Sequence, residues 1–187
     1  MGDQALASLS VGEVLRGREL VGEELSGLTW ESAKLLDCVF EECTFTSCNF
    51  SMTTLTDTRF VECTFVGCKM LAVNWATTGA GSLLGQPLRF EQCRLDGTTF
   101  VGLDLTGFAF RDCQLTDVDF TEAELRRVDF GGSDLSGARF VGSDLRDTDL
   151  RGTRGLVLDP RENRLKGARL DLDSTPGLLD VFGVTIT

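Results

Sequence analysis

Every residue whose number is divisible by five, from Leu15 to Leu150, is Leu or Phe, apart from Trp30, Met70, Trp75, Ala80 and Gly85. A five-residue apolar period matches neither the 3.6 of an α-helix nor the 2.0 of a flat strand. The chain must therefore be read as a repeat. In fives it runs LDCVF EECTF TSCNF SMTTL TDTRF VECTF VGCKM and, after a break, EQCRL DGTTF VGLDL TGFAF RDCQL TDVDF TEAEL RRVDF GGSDL SGARF VGSDL RDTDL. The third position of most units is Cys, Ala, Val, Thr or Ser, and the fifth is large. Each unit thus sends one small and one large side chain inward and three outward. Short strands joined by tight turns, closed into coils that stack about 4.8 Å apart, satisfy this pattern.

Charge and composition narrow the function. With 18 basic and 29 acidic residues the formal charge is −11, which repels nucleic-acid phosphates and anionic lipids, so a charged partner is expected to be basic. The first residues, MGDQALASLSVGEVL, hold no cationic leader followed by an apolar core, and no run is long enough to span a membrane. A cytoplasmic location is expected. All seven cysteines lie two residues before a multiple of five, which makes them small core fillers rather than a disulfide framework or a metal site. The chain has no His and no Tyr, so a general base and an activated nucleophile both lack their usual partners. Neither enzymatic activity, a metal nor a cofactor is expected.

Units such as SGARF, GSDL and TEAEL in one unbroken frame resemble the pentapeptide-repeat proteins, whose motif is A(D/N)LXX. The resemblance covers about residues 15 to 155. It implies an all-β fold, a right-handed quadrilateral parallel β-helix with 20 residues per coil. The 28 units would make seven coils, roughly 34 Å long if nothing loops out. Cys43 then lies under Cys63, Cys48 under Cys68 and Cys93 under Cys113, as ladders of free thiols, since Cβ atoms about 4.8 Å apart exceed the usual disulfide separation. Asp104, Glu124 and Asp144 form one outward column, and Asp129 and Asp149 a second on the next face. Arg126 and Arg146 screen part of it, and further arginines stripe the surface. Such columns are either a solvated face or a partner-binding one, and reversal of the first to Lys is expected to leave the fold intact. Arg18 and Glu23 replace the small third residue, so the first coil should be weakly packed, and residues 1–14 are expected to form a cap segment.

Two stretches break the frame. Residues 76–87, ATTGAGSLLGQP, carry no charge and are rich in turn residues, so Thr78, Gly79, Ala80, Gly81, Ser82, Leu83, Leu84 and Gly85 are expected to project as a recognition loop, the alternative being a bulged face. Residues 156–187 read as a cap with a short helix from Ser174 or Thr175 to Phe182, stopped by Gly183, and a strand at Val184 and Ile186. Leu178, Leu179, Phe182, Val184 and Ile186 would either close a monomer or, as the resemblance favours, form a homodimer interface. FVGCKMLAVNWA, LRFEQCRLDGTTF, LDPRENRLKGARL and GLLDVFGVTI are also similar to the Qnr-like branch of quinolone-resistance and microcin-immunity proteins. That resemblance implies a DNA mimic that binds DNA gyrase or topoisomerase IV without binding nucleic acid itself and protects the enzyme from poisons. The alternative is an acidic scaffold for an unrelated protein.

Overall fold

Each five-residue unit folds as a short extended segment centred on its large residue, followed by a corner. The computed structural model describes residues 9–78, 87–172, 178 and 180–183. Val14–Arg16, Lys34–Leu36 and Thr54–Thr56 stack in parallel as face one; Glu19–Val21, Val39–Glu41 and Arg59–Val61 as face two. Face three stacks Glu24–Ser26, Thr44–Thr46, Thr64–Val66, Arg89–Glu91 and Ala109–Arg111. Face four is held by single parallel bridges through Thr29, Asn49, Lys69, Arg94 and Gln114. Beyond Arg111 the faces are built from such bridges alone. The result is an all-β, four-sided parallel solenoid. Among the described residues, no helix is long and apolar enough to cross a membrane.

Backbone groups are satisfied between coils. Gln114 N–H donates to Cys93 O of the coil before (2.9 Å), and Leu115 N–H donates to Asp134 O of the coil after (2.8 Å). The large residues fill the axis: Phe90, Phe110 and Phe130 stack with ring centroids 5.0 and 5.4 Å apart, edge-on to Phe100 and Phe120.

Third-position residues do more than fill space. Cys113 Sγ donates to Phe90 O at 3.4 Å, and Ser133 Oγ makes the same bond to Phe110 O at 2.7 Å while accepting from Cys113 N–H at 2.9 Å. Cys, Ser and Thr suit this position because they are small and join two coils. The seven cysteines are free and buried, and the hydrogen bond with Cys113, together with burial, pushes the Cys93 thiol up to about 12.

Corners explain the second position of the repeat. It lies in the left-handed region in unit after unit, with Gly at some corners and Asp37, Glu42, Asp57, Glu62, Asp112, Asp117, Glu122 and Asp147 at others, at φ between 51° and 60°. Within many corners the third N–H closes a turn on the preceding large residue, as Ser133 N–H does on Phe130 O at 3.0 Å, a geometry that demands positive φ at its second central residue.

The 20-residue register fails once. Thr64 pairs with Arg89, Lys69 with Arg94 and Asn74 with Thr99, each 25 apart. The interrupted coil therefore holds one extra unit, and the seven-coil count that assumed no looping out does not apply. This shift also places Cys93 above Cys68, whose N–H donates to its Sγ at 3.3 Å, a neighbour that 20-residue counting does not supply.

At the N-terminal end Leu20 and Leu25 are only partly buried, unlike the described large residues from Trp30 to Leu150, as expected of a coil with Arg18 and Glu23 at its third positions. At the other end the ladder runs past residue 155, through Asp144 with Arg164 and Asp149 with Arg169. RLKGARL keeps the frame there, with Leu165 and Leu170 packed on the core. Of the expected terminal helix, the described residues show Leu178 in α-helical conformation and a 3-10 turn, Asp180–Phe182, followed by Gly183 at φ 68°. Leu179, Val184 and Ile186 lie outside the described residues.

Candidate partner-binding faces

Fourth-position residues stand at the centre of each face. Asp104, Glu124 and Asp144 are bridged in sequence on face two, and Ala109, Asp129 and Asp149 on face three. Both columns exist, but their carboxylates are engaged. Asp104 Oδ1 accepts from Thr106 N–H at 2.9 Å, and Asp129 Oδ1 accepts from Gly131 N–H at 2.9 Å. The same bond runs from Arg146 N–H to Asp144 and from Arg151 N–H to Asp149, 3.2 Å each. A short acceptor at this position caps the following corner, and Asn49 and Asn74 do so equally well.

Arginines take up most of the remaining charge. Glu124 pairs with Arg126 at 2.6 Å, Asp129 with Arg111 at 2.7 Å, and Asp149 with Arg151 at 2.7 Å and Arg169 at 3.2 Å. Asp144, only 8% exposed, holds Arg146 through both carboxylate oxygens and has Arg164 at 3.8 Å. Hydrogen bonds from Arg146 hold the Asp144 carboxyl below the usual carboxylate range, and those from Arg151 do the same for Asp149.

The expectation that Asp104, Glu124 and Asp144 could be reversed to Lys without harm to the fold is therefore corrected. Lysine cannot cap the corners at Asp104 and Asp144, and it would strand a guanidinium. A carboxyl held low in the folded protein adds stability above its unfolded value near 3.9, and that stability is lost as pH falls through the lower folded value. Thermal unfolding should accordingly show the melting temperature falling steeply below about pH 4. Asp144→Asn combined with Asp149→Asn should flatten that fall.

Seven exposed carboxylates without an ion pair among the described residues stand at the corners: Glu42, Asp57, Glu62, Asp112, Asp117, Glu122 and Asp147. Counting by fives missed them because the second position looked merely polar. The available signal was its alternation between Gly and acidic residues, which marks a positive-φ corner.

Of the expected loop, only Thr78 lies within the described residues; it is buried and donates Oγ1–H to Trp75 O at 2.6 Å, closing the 3-10 turn Trp75–Thr77. Gly79, Ala80, Gly81, Ser82, Leu83, Leu84 and Gly85 lie outside them. The chain returns at Leu88, fully buried. In the terminal segment Leu178 packs against the core, while Phe182 is 52% exposed beneath the Arg161 guanidinium, 5.5 Å from the ring centroid.

A convex four-sided solenoid with charged corners defines a structural and interaction scaffold. Comparison places it more closely. A model of the pentapeptide repeat region matches residues 83–153, and a model of pentapeptide repeats in nine copies matches residues 31–70. Together they take in more than half of the chain, which belongs to the pentapeptide-repeat proteins.

Among solved structures, two trypsin-treated variant forms of QnrB1, a plasmid-mediated fluoroquinolone resistance protein, share the fold with a TM-score of 0.60. They are 16% and 13% identical to this chain; the first alignment covers 96% of this chain and 95% of that one, the second 95% and 99%. HetL, a pentapeptide-repeat protein involved in heterocyst differentiation regulation in the cyanobacterium Nostoc, is 18% identical over 86% of this chain and 87% of its own, with a TM-score of 0.46. The comparison with curated proteins gave no match.

Proposed function

We propose that this chain is a DNA-mimicking protein that binds a type II topoisomerase, DNA gyrase or topoisomerase IV, and protects it from poisons such as fluoroquinolones or peptide toxins. The observation that carries this reading is the set of free corner carboxylates, distributed over all four edges of a solenoid of net charge −11. A basic groove built for a duplex attracts such a surface through long-range steering and then by shape. The fold held in common with a fluoroquinolone resistance protein over nearly the full length of both chains supports the reading. Protection in this form acts in the cytoplasm, where the enzyme works.

The test is gyrase supercoiling in the presence of a fluoroquinolone, titrated with the protein. Restored supercoiling together with direct binding is expected. Absence of both rejects the reading in favour of an acidic scaffold for some other basic partner.

The C-terminal segment is proposed to join two copies. Phe182 exposes half its surface and packs with Arg161 instead of with the core. Phe182→Asp should halve the mass measured by light scattering without lowering the melting temperature; an unchanged mass would remove this residue from the interface.

A further inference from the structure

One notch interrupts the corner between faces three and four. Arg111, Gly131 and Arg151 occupy the same first position in successive coils, so the two arginine backbones stand about 9.6 Å apart with no side chain between them. The resulting cavity, about 380 Å³, is lined by Arg111, Asp112, Asp129, Gly131, Asp149 and Arg151, within the size range of binding pockets. Both arginines pair with fourth-position carboxylates along the wall of the notch: Arg111 Nε donates to Asp129 Oδ2 at 2.7 Å, and Arg151 Nε donates to Asp149 Oδ1 at 2.9 Å. Asp112 is exposed and has no such partner within the described residues. Asp129 is paired with Arg111, and Asp149 with Arg151 and Arg169, so Asp112 is the carboxylate of the notch left without an ion pair. An anion would meet all three carboxylates at once.

We propose that this notch receives a single arginine side chain from the protein partner, its guanidinium forked on Asp112 and its stem laid over the glycine floor. A planar guanidinium fits a carboxylate through two parallel hydrogen bonds, and a pocket that seats one arginine is a common anchor of an otherwise diffuse charged interface. The proposal rests on the topoisomerase reading only for which partner supplies the arginine.

Gly131→Arg is the diagnostic variant. Gly131 is not in the left-handed region, and its added Cβ would lie 3.0 Å from Asp129 Oδ1. Arg151 occupies the equivalent site with its N–H still capped by Asp149 at 3.2 Å, so the corner accommodates an arginine. Asp112→Asn keeps the shape and removes the charge.

In amide-resolved NMR of the full chain, N-acetyl-arginine amide should shift the Gly131 and Gly132 signals saturably. Asp112→Asn should weaken this about tenfold, Gly131→Arg should abolish it, and N-acetyl-glutamate amide should cause no shift. Equal shifts in all three proteins, or none in wild type, overturn the notch. In parallel, Gly131→Arg should lower gyrase or topoisomerase IV affinity at least tenfold at an unchanged melting temperature. If wild type binds the enzyme and Gly131→Arg binds equally well, the notch has no part in that complex although the functional reading stands. If wild type does not bind, the functional reading fails and the NMR result alone decides the notch.

Discussion

Phe110→Ala should destabilise the solenoid by about 3–5 kcal/mol, the range for truncating a buried aromatic side chain. Phe110 is fully buried, with Phe90 and Phe130 on its two faces and Phe100 and Phe120 against its edges. The surrounding coils cannot collapse into the void, because their spacing is set by backbone hydrogen bonds above and below. In a stacked repeat, stability is close to a sum over neighbouring coils, so a defect in mid-rod weakens two interfaces at once. Chemical denaturation followed by circular dichroism should show either a much lower midpoint or two transitions, one for each side of the break. A loss under about 1 kcal/mol would mean that the aromatic column is fluid and that the backbone ladder dominates.

The second large effect separates charge from fold. Removing the corner carboxylates, with Asp117→Gly, Glu122→Gly and Asp147→Gly together, should weaken topoisomerase binding on the order of tenfold or more and flatten its salt dependence. It should not weaken the fold. These residues sit at φ 56°, 58° and 60°, where a side chain costs about 1–2 kcal/mol. Glycine's greater freedom in the unfolded chain offsets about 0.5–1 kcal/mol of the relief, leaving each change between neutral and mildly stabilising.

Lysine at Asp104, Glu124 and Asp144 should behave in the opposite way. It removes two corner caps and leaves Arg146 without its main partner, and so should lower the melting temperature. Isothermal titration alongside thermal unfolding distinguishes the two sets. If the glycine triple binds as tightly as wild type, the corners are not the contact surface.

The contrast shows where sequence reasoning stopped. The multiples of five located the core down to single residues, and adding 20 placed Asp104 beside Glu124 and Asp144, as the bridges confirm. That arithmetic carries no information on what a carboxylate does once placed. Asp144 and Asp147 are the same residue type three positions apart. One is buried under Arg146 as a corner cap, while the other stands free at positive φ. The difference lies in backbone geometry at the corner, which the apolar period does not encode. Likewise, the stacking of Cys93 on Cys68 depends on the 25-residue register across the break, a number that turn propensities in ATTGAGSLLGQP do not supply.

The single 25-residue coil also bears on how such a rod can change over time. Thr78 closes the 3-10 turn before residues 79–86, and Leu88 is fully buried after them, so both flanks are anchored in the core. The closure entropy of a connection between two anchored ends grows slowly with its length, by about 0.6 kcal/mol for each doubling. Coil-forming residues elsewhere must be gained or lost in whole turns, or every face above them loses register. Between Thr78 and Leu88 a change of length is therefore expected to cost the frame far less than the same change elsewhere.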